Sequence, residues 1–110
     1  MLQVVPVLQI LERTKFLISY GHCKGAPARN RQGEAVSDAE PEAVYFCLVG
    51  AVRRAIRDTH NGIGIDPIMA IFHRLHVDYG SLATWNDAPE RTQADVVQLL
   101  DDAIESVKHD

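Results

Sequence analysis

Residues 40–60 read EPEAVYFCLVGAVRRAIRDTH, and the fold depends on how this stretch is taken. Val44, Cys47, Leu48, Ala51, Val52 and Ala55 recur at three- and four-residue steps, which a period of 3.6 gathers on one side of a helix. The spacing predicts a central helix over Glu40–His60, capped by Asp38. With that cap Pro41 takes the third helical position, whose N–H is an orphan in any case; Ser37 as the cap would move it to the fourth, where the N–H is needed. Glu40 and Glu42 then fall in the first turn and Arg53, Arg54 and Arg57 in the last turns, each sign at the end of the helix dipole that suits it. Gly50 in mid-helix costs about 1 kcal/mol relative to alanine. Its presence beside Ala51 predicts another element pressed against the helix there. Cys47 falls on the apolar stripe, where a free cysteine behaves as a small buried hydrophobe.

Working outward, Val5 to Tyr20 reads as a first helix. Pro6 suits its first turn, Val7, Leu8, Leu11, Phe16, Leu17 and Ile18 give it a broad apolar surface, and Gly21 is placed to end it in the left-handed conformation. A surface that broad is either sandwiched between other helices or used in part for self-association. His22 to Val36 is the least regular segment, punctuated by Gly25, Pro27, Asn30 and Gly33 and made locally basic by Lys24, Arg29 and Arg31. Asn30-Arg31-Gln32-Gly33 suits a turn between two short extended pieces, Ala26–Arg29 and Glu34–Val36. After the central helix, Asn61-Gly62-Ile63-Gly64 is a stop. Asp66 as an N-cap and Pro67 at the first helical position then open a third helix with a stripe of Ile68, Ile71, Phe72 and Leu75, ending near Val77 before Tyr79-Gly80-Ser81. Ser81 to Pro89 is a connector in which Trp85 plugs the junction between helices and Asn86 and Asp87 brace the next turn. The last helix starts at a Thr92 cap with Asp95 three residues on, and buries Val96, Leu99, Leu100, Ala103, Ile104 and Val107. The expected architecture is all-α: a single four-helix domain over residues 1–110, with one long irregular loop or minimal β-hairpin between helices 1 and 2.

A chain of 110 residues that is 46% hydrophobic and 24% charged can bury a core without staples. No apolar run reaches the ~20 residues of a bilayer span, and the first ten residues lack a signal-peptide pattern, so a cytoplasmic location with two reduced cysteines is expected. Cys23 and Cys47 could pair only if the fold brought them together. The net charge is −4, and residues 87–110 alone hold seven acids against Arg91 and Lys108. With pI ≈ 5.7 and only local basic clusters, extensive phosphate binding is disfavoured and nucleic acid is an unexpected partner.

Chemistry finds few candidates. A nucleophilic Cys47 would draw on His60 or His73 and Asp87, but no spacing favours that set. His22 with Cys23, and His73 with His76, are the only metal-like pairs, and neither a Cys-x-x-Cys nor a His-Glu-x-x-His pattern accompanies them. No phosphate-cradling glycine spacing is present, and the helix after the Asn61-Gly62 turn carries only Arg74 and two histidines toward DNA.

Three segments together resemble an uncharacterised family of small bacterial and phage-associated proteins, known as a domain of unknown function. They are the loop ending in Arg29-Asn30-Arg31-Gln32-Gly33, the run Ala43–Ala51 with its Cys47-x-x-Gly50-Ala51, and Trp85-Asn86-Asp87 followed by Arg91-Thr92. Members often carry tryptophan where this chain has His22. The resemblance implies one domain across the chain and brings no activity or substrate. The expected function is therefore that of a non-enzymatic interaction or accessory protein, without cofactor or metal. It would present Lys24, Arg29 and Arg31 of the loop, and Arg53, Arg54 and Arg57 of the central helix, to a protein partner or a second copy. The alternatives are a small thiol- or metal-dependent enzyme centred on Cys47 and a weak nucleic-acid binder.

Overall fold

In the computed structural model, which describes residues 4–75, 77 and 82–109, the first helix forms where its periodicity places it, as α1 (Val4–Tyr20). Gly21 follows it without a left-handed turn. A Cβ at residue 21 would stand 2.5 Å from the Val44 carbonyl oxygen, so the position needs glycine for close approach. The irregular segment then builds the hairpin that was only suggested by its turn residues, β1 (Ala28–Arg29) and β2 (Ala35–Val36). Asn30 makes the turn: its Oδ1 accepts from the N–H groups of Gln32 (3.0 Å) and Glu34 (2.9 Å), the local side-chain bonding that favours asparagine in turns.

The central helix is shorter than its pattern predicts, and this is the main correction to the fold. Residues 37–44 are turns, Tyr45–Phe46 is a third strand, β3, and α2 runs only from Leu48 to Thr59. Pro41 interrupts the acidic stretch, and Val44-Tyr45-Phe46 is a β-branched and aromatic run that pairs well in a sheet. Its backbone is claimed from outside: Val44 N–H donates to Arg29 O (2.9 Å) and Phe46 N–H to Gly21 O (3.0 Å). The helical stripe was real only from Cys47 onward. Asp38 is not the cap. It is buried, and its carboxylate accepts from Arg53 Nε at 2.9 Å, while Cys47 caps α2 instead.

The strands form one antiparallel sheet in the order β2-β1-β3, with Ala28 opposite Phe46 and Arg29 opposite Tyr45. α3 (Asp66–Arg74) starts one residue earlier than expected and ends short of Val77: Asp66 is its first residue and not its cap, a position that Ile65 takes without a side-chain bond. Tyr79-Gly80-Ser81, read as its terminator, lies outside the described residues. The connector that follows contains a short helix, α4 (Leu82–Asp87), too brief for a periodic signal, and α5 (Gln93–Lys108) closes the chain. The Thr92 cap is realised with a reciprocal partner: Asp95 N–H donates to Thr92 Oγ1 at 3.1 Å, and Thr92 N–H to the Asp95 carboxylate at 3.0 Å. Those bonds favour the ionised carboxylate and hold its pKa below the ordinary aspartate value.

The chain is thus mostly helical, with five helices and a three-stranded sheet among the described residues. α1 is the middle layer, packed between α2 and α5. Ile10, Leu11, Leu48, Phe72, Leu82 and Leu100 are fully enclosed. Gln93 Nε2 donates to Ile18 O (2.7 Å) and Ser19 O (3.2 Å), satisfying carbonyls that the end of α1 leaves open, and Lys15 pairs with Asp101 across the α1–α5 seam. No helix among the described residues is long and apolar enough to cross a membrane.

Candidate functional site

The segments that stand out in the sequence meet at the start of α2, and Asn86 joins them. This side chain is completely buried at the end of α4. Its Oδ1 accepts from the Leu48 N–H at 3.1 Å, one of the donors that the first turn of α2 leaves without an intrahelical partner. Its Nδ2 donates to Cys23 O at 3.1 Å and to Asp87 Oδ1 at 2.9 Å. A donor on one side and a carbonyl on the other fix the amide's orientation, so His22 Nε2, 2.7 Å from Oδ1, must carry its proton and donate. Asp87 continues the clamp by accepting from Gly25 N–H (3.2 Å), and Lys24 Nζ donates to Ala88 O (2.7 Å). Trp85 packs against the edge of the hydrophobic core. It is half-buried, with the Arg91 guanidinium stacked 4.0 Å from its ring centroid and donating to the Trp85 carbonyl.

The second half of the clamp is Cys47-x-x-Gly50. Cys47 is buried, as a hydrophobic thiol should be, but at the N-cap instead of two turns inside a helix; its Sγ accepts from Gly50 N–H at 3.3 Å. The predicted close approach at Gly50 is made by the backbone of Pro27, whose carbonyl accepts from Cys47 N–H at 3.2 Å and occupies the space a residue-50 Cβ would need. Asn86 from one side and Pro27 from the other thus fasten the loop at residues 22–27 to the first turn of α2.

Cys47 also borders a cleft of about 270 Å³ with Gly25, Pro27, Val49, Arg53 and Asp87. A helix N-terminus ordinarily favours a thiolate, but here burial outweighs the amide bonds from Gly50 and Val49, and the pKa of Cys47 is raised. Burial, then the neighbouring Cys47, pushes the Cys23 thiol up to about 11. Neither histidine named as a base lines this cleft, and His73 lies in the last turn of α3. His60 caps the opposite end of α2, about 18 Å away along a twelve-residue helix. His22 pairs with Phe46 in a parallel bridge, so its ring lies on the face opposite Cys47, one residue further on. Among the described residues no group of three or more His, Cys, Asp or Glu side chains is placed to hold a metal; His76 lies outside them.

The raised thiols set an alkaline limit. A thiol whose pKa rises on folding keeps its proton longer in the folded chain than in the unfolded one. Its contribution to stability is complete below the ordinary value of 9.0 and is lost as pH climbs toward about 11. Urea denaturation midpoints measured across that window are expected to fall less steeply in Cys23→Ser than in the parent chain.

The six basic residues divide by what they already hold. Lys24 is committed to the Ala88 carbonyl, and Arg29 donates to Gly33 O and Lys24 O (3.0 Å each). Arg53 pairs with Asp38. Arg54 donates to Asp58, Asp38 O and Glu40 O and lies over the Phe46 ring. Arg31, at the hairpin tip, and Arg57, in the last turn of α2, are exposed, and neither has an ion-pair or hydrogen-bond partner among the described residues. Arg53 and Arg57 flank a shallow groove of about 360 Å³ with Ile56 and Ile65. Phe16, counted in the broad apolar surface of α1, is 54% exposed, as is its neighbour Tyr20 at 77%, with Arg13 stacked 5.0 Å from the Phe16 centroid.

Fold and site together define a small, mostly helical domain in which a three-stranded sheet and its loop are clamped to the first turn of a central helix. The chain belongs to a family of unknown function (DUF6197), whose profile matches residues 3–106. No curated protein and no solved structure matches it.

Proposed function

We propose that the protein acts by binding another protein through the C-terminal half of α2, taking a segment that offers carboxylates beside aliphatic side chains. The observation that carries this reading is Arg57, a cation with no internal counter-charge among the described residues, set with Arg53 at the edge of a groove lined by Ile56 and Ile65. Two guanidiniums flanking two isoleucines match a segment of alternating acidic and apolar character, and arginine beside apolar surface is common where binding energy concentrates. The clamp at the other end supports the reading because it holds α2 rigid, which lowers the ordering cost of association. Lys24, Arg29 and Arg54 serve this surface indirectly, as parts of the scaffold that fixes it.

The test is quantitative affinity capture from the native host lysate, using the parent chain, Arg57→Glu and Arg31→Glu. Arg57→Glu breaks no bond inside the described molecule, so a loss of binding reports on the surface and not on folding. Bound protein is expected to fall about fivefold or more with Arg57→Glu, as for an interface residue worth more than ~1 kcal/mol, and to persist with Arg31→Glu. Binding unchanged by Arg57→Glu, capture of nucleic acid in place of protein, or self-association alone would contradict the proposal.

A further inference from the structure

The two cysteines lie 24 positions apart in sequence, but the fold sets them side by side. Phe46 N–H donates to Gly21 O and Cys23 N–H donates to Phe46 O, both at 3.0 Å, which makes His22 and Phe46 a parallel bridge. One residue beyond that bridge on each segment stand Cys23 and Cys47. Cys47 is still extended, with φ −80° and ψ 170°, so the pleat turns both thiols to the face away from His22 and Phe46. Adjacent extended segments run ~4.8 Å apart, inside the ~4.4–6.8 Å Cα separation that a disulfide spans. Both cysteines are free thiols, at 9% and 6% exposure, and Cys47 borders the cleft beside Arg53 and Asp87.

We propose that Cys23 and Cys47 are a reversible disulfide-forming pair, with Cys47 the sulfur reached first by a small peroxide entering the cleft and Cys23 the resolving thiol. In the first step the Cys47 thiolate attacks one peroxide oxygen and the O–O bond breaks. Cys47 becomes a sulfenic acid, and the departing hydroxide takes up the thiol's proton as water. In the second, Cys23 attacks the sulfenic sulfur, the S–O bond breaks and a second water leaves with the Cys23 proton. Two thiols are oxidised and one hydrogen peroxide is reduced to two waters.

A third observation agrees with the placement: the two thiols are close enough that charge on one raises the pKa of the other. Burial keeps both thiols protonated near neutrality, and because only the thiolate attacks, oxidation is slow there and accelerates as pH rises. The disulfide would tie the loop to the N-cap of α2 covalently, at the place where Asn86 and Pro27 hold it by hydrogen bonds.

The experiment treats the folded 110-residue chain with hydrogen peroxide and reads intact mass and a non-reduced peptide digest. The expected result is a monomer lighter by two hydrogens, a linked pair of peptides carrying Cys23 and Cys47, and recovery of both thiols with dithiothreitol. In Cys23→Ser, Cys47 should stop at a sulfenic acid that dimedone traps, or continue to the sulfinic acid. The proposal is overturned if the parent chain yields sulfinic Cys47 with Cys23 still alkylatable, gives only disulfide-linked dimers, or keeps both thiols free under peroxide that oxidises the urea-unfolded chain.

Discussion

Gly50→Ala is expected to cost about 3 kcal/mol, near the upper end of the range for overpacking a close contact. In a domain of this size that lowers Tm by roughly 12–24 °C. The sign is informative, because alanine at an exposed helical glycine would instead stabilise by about 1 kcal/mol. At residue 50 the added methyl meets the Pro27 carbonyl, a backbone atom that cannot rotate aside and that is already accepting from Cys47 N–H. Relief requires the loop to lift off α2, which breaks that bond and loosens the neighbouring Asn86 contacts. Thermal and urea denaturation measure the loss; a variant as stable as the parent would show that Pro27 does not press on the helix.

Asn86→Ala is expected to cost a similar amount, about 3 kcal/mol, by a different route. Removing the amide leaves the Leu48 N–H and the Cys23 carbonyl without their partner in a buried place, and each such orphan costs ~1–3 kcal/mol. Asn86→Asp separates the contributions. It keeps an oxygen for Leu48 N–H but has no donor for Cys23 O, and it brings a second carboxylate against Asp87 Oδ1. It should therefore be no more stable than the alanine variant at neutral pH. Urea titrations of the two variants side by side check this, and a well-folded Asn86→Asp at neutral pH would argue against the assigned orientation of the amide.

The parts of the fold that were legible in the sequence are those decided locally. α1, α3 and α5 each have a long apolar stripe and a start signal, and for α5 the Thr92–Asp95 pair forms as its spacing implies. The start of the central helix was misread because Val44 extends the helical stripe by coincidence. The same valine belongs to an alternating run, in which Tyr45 is exposed and Phe46 is buried. Only tertiary pairing decides between the two periods, and the carbonyls of Gly21 and Arg29 decide it for the strand. α4 has six residues, fewer than a period can show.

The site was legible only in part. Crowding at Gly50 could be inferred, since a glycine on a helical stripe needs a reason, but its partner Pro27 could not. Asn86 looked like a turn-bracing residue; its bonds to Leu48 and His22 span 38 and 64 positions, and no local pattern reports contacts of that range. The arginines show the same limit from the other side. Their charge was visible, while the distinction between Arg54, engaged by Asp58 and two carbonyls, and Arg57, left facing solvent, depends on where the turn at residues 37–40 folds.

Asn86 fastens the loop at residues 22–27 to the first turn of α2. Amide hydrogen exchange followed residue by residue in the parent chain and in Asn86→Ala tests it most directly. The predicted result is a concentrated loss of protection at Leu48 and at Cys23 and Gly25, with α5 protected to within the overall change in stability. Exchange at Leu48 that is unaltered, or that changes only as much as in α5, would contradict it.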